Sequence, residues 1–263
     1  MVMEMLFDLT NSWVRTIVGG AIATIIAGLV LYYFRRFEEY RRINKKATVK
    51  KGISLKFNNT TVNLKEGEIQ NVEITNKNSA VVLPANTTFI DDCITDPKST
   101  LGAFFLKFYP DKIPTRVSED IEKELRKQHY KKDKNGSYPP GTTIILPKEY
   151  DTPAKCIITA STIRKEKVGI VAYPSTICEC IRQIFEITAD KKIERIYMPV
   201  IGSGHGGLDI NDALLFILLS IKYYSKRYHH IKTVDILITP EDVPRLKDVY
   251  RLQYLSLLEV KEK

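Results

Sequence analysis

The chain is 263 residues long and 44% apolar, so it is long enough to bury a sizeable hydrophobic core. Its formal net charge of +9 would ordinarily indicate a nucleic-acid partner. The charge is unevenly spread, because residues 35–51 hold eight basic and two acidic residues, a local +6 that leaves only +3 for the other 246 residues. This distribution argues against a nucleic-acid partner for the main body of the chain.

An uncharged run of nineteen residues, 16–34, lies near the N-terminus. As a helix it would extend about 28 Å, enough to cross the hydrocarbon core of a bilayer. Trp13, Tyr32 and Tyr33 stand at its two ends, where amphipathic rings prefer to lie. A cleaved signal peptide fits less well, since the run is long and no small-residue cleavage site follows it. We therefore predict one transmembrane helix within residues 1–34.

The basic residues after this run predict its orientation. Under the positive-inside rule they place the N-terminus outside and the rest of the chain in the cytoplasm, as in a single-pass protein of the cell inner membrane. Residues 35–51 are predicted to form a basic juxtamembrane segment that membrane lipid attracts. The spacing of Gly20, Thr24 and Gly28 lets two helices approach closely, so we expect a homo-oligomer, although transmembrane helices also tolerate small residues without associating.

The pattern changes at Ile53 to that of a globular domain, which we predict to span residues 52–260. Alternating apolar residues predict strands at 53–57, 60–64 and 69–75, the first ones antiparallel. The apolar run 80–83 is typical of a strand buried on both faces, and Pro84 is predicted to end it. Asn86 and Thr87 then follow at the carboxyl end of that strand, where open α/β sheets bind ligands.

Helices and strands alternate along the rest of the domain. The predicted strands are 142–146, 155–160, 193–201 and 233–239. The predicted helices are a short one within 89–110, a surface helix at 118–129, and helices at 175–189, from 210 through the apolar run 214–221, and at 241–258. This order predicts an α/β fold with helices on both faces of a mixed sheet, in three α/β/α layers.

The four cysteines are Cys93, Cys156, Cys178 and Cys180, and none forms a Cys-x-x-Cys pair. Cys178 and Cys180 lie two residues apart in a predicted helix, so their side chains point to different sides. No Cys/His cluster is present, and we predict no metal site. The pattern favours reduced, mostly buried thiols.

The domain is organised around residues 193–218, in which a β-branched strand stops at four glycines within 202–207 and an apolar helix begins after Asp209. Glycines remove the side chains that would keep a ligand from the backbone, and a helix start presents unpaired N–H groups and the positive end of its dipole. Such a turn is predicted to hold an anion, most often a phosphate or diphosphate.

Gly202, Gly204 and Gly207 also fit the dinucleotide fingerprint G-x-G-x-x-G, but weakly. That unit belongs at the first strand–helix turn, with an acidic residue about 20 positions later at the end of the next strand. Here the turn comes late, and Asp235 lies at the start of the next strand. A P-loop is excluded because no Gly-Lys-Ser/Thr follows.

Three pieces of the sequence, in order, resemble the macro domain, an ADP-ribose-binding α/β fold. Gly67-Glu68-Ile69 is similar to the Gly-Asp-Ile of an early element. Residues 80–86 are similar to a buried strand that ends in Asn-Ala-Ala-Asn, and residues 199–207 to the second phosphate loop. The likeness covers about residues 50–258.

The resemblance implies a ligand, ADP-ribose or an ADP-ribose conjugate, and no separate cofactor. It implies that backbone N–H groups of residues 201–207 wrap the diphosphate, that Asn86 hydrogen-bonds the distal ribose, and that Glu68 stands where an Asp usually accepts the adenine amino group. The implied ligand-contacting residues are Glu68, Asn86, Thr87, Ser99, Leu101, Gly102, Ile201, Gly202, Ser203, Gly204, His205, Gly206 and Gly207.

One loop departs from the macro-domain hydrolases. Those enzymes carry three consecutive glycines and then a catalytic position, whereas residues 96–102 here read Asp-Pro-Lys-Ser-Thr-Leu-Gly. No catalytic residue is identifiable there, so we expect binding without turnover. A membrane-anchored ADP-ribosyl hydrolase is the alternative.

The predicted transmembrane helix followed by such a domain resembles the membrane-anchored macro effectors of bacterial Thoeris-type antiphage defence. In that family a partner TIR enzyme makes an ADP-ribose-derived signal from NAD, the macro domain senses it, and the membrane part carries out the response. The resemblance therefore implies a membrane-tethered sensor that binds the signal, oligomerises and perturbs the membrane.

Overall fold

The computed structural model describes residues 52–74, 77–89, 92–152, 154–165, 169–189 and 191–246. The predicted transmembrane helix and the juxtamembrane segment lie outside these residues, so both stay predictions, as do the domain boundaries. Within the described part of the chain, no helix is both long and apolar enough to cross a bilayer.

Strands and α-helices alternate along the described residues. The strands are β1 Ile53–Phe57, β2 Thr60–Glu66, β3 Ser79–Asn86, β4 Thr143–Ile145, β5 Lys155–Lys165, β6 Gly169–Val171, β7 Arg195–Pro199 and β8 Thr233–Ile238. The α-helices are α1 Asp92–Thr95, α2 Thr100–Phe108, α3 Thr115–Lys127, α4 Pro174–Ala189 and α5 Ile210–Tyr224.

The strands form one mixed sheet in the order β1-β2-β8-β7-β3-β5-β4, and β6 pairs with β5. The five inner strands, β2, β8, β7, β3 and β5, run parallel to one another. Strands β1, β4 and β6 run antiparallel to the strands with which they pair. The carboxyl ends of the five parallel strands therefore meet at one edge of the sheet, which we call the carboxyl edge.

Both faces of the sheet are covered, as the continuous apolar run of β3 predicts. Val81 and Leu83 pack in a cluster with α2 and α3, while Ala80 and Val82 point to the opposite face and are equally inaccessible to solvent. Helices α4 and α5 pack together and contribute nothing to the α2–α3 cluster. The α/β prediction with three layers is confirmed for the described domain.

Pro84 does not end β3, contrary to the sequence prediction. The strand continues to Asn86, and Pro84 is paired with Thr159 of β5. The neighbour on the other side, β7, pairs only as far as Val81. Pro84 thus lies where β3 has a partner on one side only, a position at which a strand tolerates a missing N–H.

Residues 69–74 are not a strand, so the prediction of a strand at 69–75 was wrong for this described part. Ile69–Asn71 is a 3-10 turn, and Val72 begins an irregular stretch. The Glu68 carboxylate accepts hydrogen bonds from the side chains of Gln70 and Asn71, and such local bonds compete with strand pairing.

The helix predicted from Glu241 does not begin there. Val243–Arg245 is a single 3-10 turn, and Pro244 disfavours a helical conformation at the residue before it. The remainder of that prediction lies beyond Leu246, outside the described residues.

The four cysteines are free, as their spacing predicts. Cys156 and Cys180 are fully buried, and burial raises the pKa of the Cys180 thiol to about 12. A thiol held protonated in this way is a poor nucleophile, so these two cysteines pack the core.

Candidate ligand-binding site

A cavity of about 620 Å³ opens at the carboxyl edge of the sheet. Its wall is built from the segments that follow β2, β7 and β8, from the last residues of β3, from the middle of β5, and from the loop before α2. A volume of this size suits a nucleotide-sized ligand, and this edge is where open α/β sheets bind ligands.

Two positions of the glycine loop, residues 201–207, require glycine, each for a different reason. Gly202 has φ +89°, in the left-handed region that glycine adopts freely. A Cβ on Gly206 would lie 2.6 Å from the Gly202 carbonyl oxygen and 2.8 Å from the Ala172 side chain. The Ala172 N–H also donates to the Gly206 carbonyl at 2.8 Å. At Gly206 the loop therefore packs against Ala172 with no room for a side chain.

The outer part of the glycine loop faces the cavity and solvent. A Cβ on Gly204 would meet no atom within 4 Å, and Gly204 and His205 are exposed. Ser203 donates through its hydroxyl to the Val200 carbonyl at 2.9 Å, which fixes the turn from inside.

The sequence predicts unpaired N–H groups at the start of α5, but the structure shows that one of them, the Asn211 N–H, is occupied. The Asp209 carboxylate caps the helix by accepting the Asn211 N–H at 2.8 Å. Hydrogen bonds from the side chain and backbone of Asn211 hold the pKa of Asp209 below its ordinary value, so the cap stays ionised. The Asn211 N–H is therefore not open to an anion, whereas the backbone at Gly204 is exposed.

The first loop, residues 96–99, lies at the entry to α2 and is braced by side chains. Ser99 caps α2 by accepting the Gly102 N–H at 2.8 Å, and its hydroxyl also contacts the carbonyl oxygens of Cys93 and Asp96. A Cβ on Gly102 would lie 2.2 Å from the Asp96 carbonyl oxygen, so the loop packs directly on that glycine. The Asp96 carboxylate accepts the Lys98 N–H at 2.8 Å.

Asn86 lies at the end of β3 and is 3% exposed. Its Oδ1 accepts hydrogen bonds from the N–H and the hydroxyl of Thr88, at 2.9 and 2.6 Å. Its Nδ2 has a weaker contact, 3.5 Å from the Cys93 sulfur. The amide is thus oriented by its oxygen and keeps a donor for a ligand.

The two loops approach each other across the cavity. His205 Nε2 of the glycine loop lies 3.7 Å from Asp96 Oδ2 of the first loop, and Lys98 lines the wall beside them. Glu68, Glu241 and Asp242 follow the neighbouring strands β2 and β8. Carboxylates therefore follow β2 and β8 on one side of the cavity, and Asp96, Lys98 and His205 belong to the two loops.

The structure brings most of the predicted ligand residues together. Those that line the cavity are Glu68, Asn86, Ser99, Gly202, Ser203, Gly204, His205 and Gly206. Those that do not are Thr87, Leu101, Gly102, Ile201 and Gly207. Leu101 and Ile201 are buried in the core, Gly102 lies beneath the first loop, and Gly207 faces solvent. The ligand role of each residue stays a prediction.

Sequence reasoning missed several wall residues. They include Gln70, Cys93, Lys98, Ser161, Thr162, Ile170, Thr239, Glu241 and Asp242. The signal for Ser161 and Thr162 was present, because this hydroxyl pair directly follows the apolar run of β5. The Ser161 hydroxyl is buried and has no hydrogen-bond partner among the described residues.

Solved structures with the same fold define the class. A glycine-to-valine variant of the Oceanobacillus iheyensis macrodomain, solved with ADPR, superposes with a TM-score of 0.57 and is 20% identical, covering 78% of this chain and 98% of that one. The same macrodomain with ADP gives a TM-score of 0.54 at 18% identity, covering 78% of this chain and 94% of that one. The domain has the macrodomain fold.

A comparison of the sequence with protein families identifies one family among the proteins with this fold. The sequence profile described as Thoeris protein ThsA, macro domain, matches residues 63–239, about two thirds of the chain. The chain belongs to this Thoeris ThsA macro-domain family. A comparison with curated proteins gives no match.

Proposed function

We propose that the cavity binds ADP-ribose or an ADP-ribose conjugate, and that the chain is a membrane-tethered sensor in Thoeris-type antiphage defence. The glycine loop is the observation that carries the proposal. Because Gly206 leaves no space for a side chain and Gly204 is open, the backbone there is available to a diphosphate. Asn86, whose Nδ2 contacts only the Cys93 sulfur at 3.5 Å, lies at the end of the neighbouring strand and can donate to a ribose hydroxyl.

Membership of the Thoeris family and the structural likeness to macrodomains solved with ADP and ADPR support this ligand class. The signal then comes from a partner TIR enzyme that consumes NAD. The uncharged residues 16–34 support a membrane anchor, and the spacing of Gly20, Thr24 and Gly28 supports self-association of that anchor. Ligand binding drives oligomerisation, which perturbs the membrane.

Binding without turnover is favoured because the first loop carries Pro97 and Lys98 where macro-domain hydrolases carry a run of glycines. One contact favours the alternative, a membrane-anchored ADP-ribosyl hydrolase. His205 and Asp96 lie 3.7 Å apart at the cavity, and a His paired with a carboxylate is a common general base.

Calorimetry of the full-length chain in detergent micelles with ADP-ribose tests the ligand class. Gly204→Glu should abolish binding, because its carboxylate would face the diphosphate. Gly204→Ala is the matched control and should bind normally, since a Cβ there meets no atom within 4 Å. Equal binding by the two variants would remove the phosphate role of the glycine loop.

The sensor and the hydrolase are separated by turnover. The full-length chain should leave ADP-ribosylated protein intact over a time in which a macro-domain hydrolase releases ADP-ribose. Release that is lost on both Asn86→Ala and His205→Ala would establish the hydrolase instead. Ligand-dependent leakage of a dye from liposomes containing the full-length chain tests the membrane response.

A further inference from the structure

Helix α5 carries a second apolar surface besides the one that it buries in the core. Its inner face, which includes Leu214, Ile217 and Leu218, is inaccessible to solvent. On the opposite side, Leu219 is 40% exposed and Tyr223 is 70% exposed. They are two of the four large apolar or aromatic side chains that are exposed in the described part of the chain. Exposed apolar groups gathered on one helix are typical of an interaction surface.

These side chains follow the spacing of a single helix face. Leu215, Phe216, Leu219 and Tyr223, which we call the outer stripe, lie three or four residues apart along α5. Leu215 and Phe216 are half-buried, so the stripe is continuous between the exposed positions and the start of the helix. A helix that only covers a sheet carries polar residues on its outer face. The outer stripe therefore fits a second packing partner.

One charged residue lies at each end of the outer stripe. Asp212 comes seven residues before Leu219 and Lys226 seven residues after it, so both fall on the face that the stripe occupies. Ser225, which follows the helix, keeps helical backbone angles, so Lys226 stays near this face. Both charged side chains are exposed and have no ion-pair partner among the described residues. A second α5, turned end for end about Leu219, would bring each acid beside the other copy's base.

We propose that the outer stripe is a contact between two copies of this chain, in which two α5 helices pack antiparallel about a two-fold axis at Leu219. Leu219 then meets the partner's Leu219, and Leu215 meets the partner's Tyr223. Asp212 pairs with the partner's Lys226. The same patch serves both copies, as a two-fold contact requires. None of these residues lines the cavity, so the contact does not rest on the nucleotide ligand and adds a surface of the domain to the proposed self-association.

The size of the outer stripe indicates a weak contact. From Asp212 to Lys226 a helix extends about 21 Å, and one helix face is about 10 Å wide. This footprint is far below the roughly 800 Å² per partner that stable interfaces bury. Two copies should therefore stay apart in dilute solution and pair where anchoring in one membrane raises their effective concentration.

Disulfide cross-linking of the full-length chain in liposomes tests the contact. Leu219→Cys places a thiol at the two-fold axis, so mild oxidation should link this variant into dimers about tenfold faster than the control, because docking raises the effective concentration of the thiols. Leu106→Cys, on α2, is the matched control, since Leu106 is also 40% exposed. The unchanged chain, whose four described cysteines are free, gives the background rate. Equal rates for the two cysteine variants would overturn the contact.

Charge reversal in the Leu219→Cys chain tests the antiparallel register. Asp212→Lys and Lys226→Asp should each slow the cross-linking about threefold, because each places like charges together at both ends of the helix pair. Combining the two changes should restore the rate, which misfolded variants would not do. Glu119→Lys, the same change at an exposed position of α3, is the control and should leave the rate unchanged. A combined variant that stays slow would refute this register.

Other occupants of the outer stripe give different results. An anionic lipid surface would protect the Leu219→Cys thiol from a water-soluble maleimide without linking it, and Asp212→Lys would increase that protection while Lys226→Asp decreased it. A partner of another sequence would leave the thiol unlinked in the purified chain. Either result overturns the proposal. ADP-ribose affinity should be the same in all variants, so failed cross-linking leaves the nucleotide site standing, and failed ADP-ribose binding leaves the α5 contact standing.

Discussion

Two polar regions of the same sheet, the charged cluster around Asp235 and the cavity at the carboxyl edge, are built in opposite ways. Asp235 is inaccessible to solvent, and both its oxygens are paired. Oδ1 contacts Asn63 at 2.7 Å and Lys65 at 3.0 Å, and Oδ2 contacts Arg195 at 2.8 Å. The cluster ties β2, β7 and β8 together and leaves no group for a ligand.

The cavity keeps polar groups incomplete. Glu68 Oε1 and the Ser161 hydroxyl have no partners among the described residues, and Asn86 Nδ2 has only a sulfur contact. Leaving buried polar groups unpaired costs stability unless a ligand or water completes them. A ligand or a water molecule in the cavity would complete these groups.

The largest expected effect comes from removing the carboxylate of the charged cluster around Asp235. Asp235→Ala leaves the charges of Lys65 and Arg195 uncompensated, and we expect a loss of about 3 kcal/mol in the free energy of unfolding, the lower end for a buried pair because both cations are partly exposed. Chemical denaturation of the full-length chain measures it. The folded fraction should bind ADP-ribose with unchanged affinity, and Asp111→Ala, at an exposed position, should change neither quantity.

The second-largest effect distinguishes Gly206 from Gly204 in the glycine loop. Gly206→Ala forces a methyl group into the Gly202 carbonyl and Ala172, so we expect about 1–3 kcal/mol of destabilisation and loss of ADP-ribose binding. Gly204→Ala meets nothing and should change neither. Thermal denaturation and calorimetry on both variants measure the difference, and similar losses at the two positions would contradict the assigned packing of the loop.

A smaller effect is expected from the first loop. Ser99→Ala removes the cap of α2 and the hydroxyl contacts to Cys93 and Asp96, which should cost about 1 kcal/mol of stability. Because the first loop lines the cavity, the Kd for ADP-ribose should rise as well. Ser54→Ala, on the exposed side of β1, is the control. An unchanged Kd would show that the loop holds its shape without the cap.

The smallest effect is a pH dependence of the stability that the charged cluster around Asp235 contributes. Burial alone would raise the pKa of Asp235, but hydrogen bonds from Asn63, Lys65 and Arg195 lower it below the ordinary value. The stability that this carboxylate contributes is therefore complete above its unfolded pKa, about 4, and is lost as the pH falls through the lower folded value. The stability difference between the unchanged chain and Asp235→Asn should shrink over that acidic range and stay constant between pH 5 and 7.

Much of the fold followed from local pattern. The continuous apolar run of β3, the glycines after β7 and the apolar helix α5 are each strong signals in a short window, and all three predictions are confirmed. Pro84 was misjudged because its tolerance depends on where β7 stops pairing, which no local pattern contains. The turn at Ile69–Asn71 was misjudged because alternation predicts a strand, while the Glu68 side-chain bonds favour a turn.

The site was predictable where backbone forms it and less so where side chains complete it. The glycine loop was found from its composition. Ser161 and Thr162 were missed because hydroxyls after a buried strand are common, and only the register of β3 with β5, which pairs Asn86 with Thr162, places them at the cavity. The capping role of Asp209 was missed because the N–H groups at the start of α5 were assumed to be unpaired. The carboxylate of the residue before the helix was not considered as an acceptor.

The antiparallel direction of β1 determines the edge of the sheet at which this strand begins. Ile53, at the start of β1, is paired with Leu64 near the carboxyl end of β2, and Gly67 of the cavity wall comes three residues later, about 10 Å along the strand. Strand β1 therefore begins at the carboxyl edge of the sheet, where the cavity opens. A single strand pair, β1 with β2, therefore joins Ile53 to the segment that carries the cavity-wall residue Gly67.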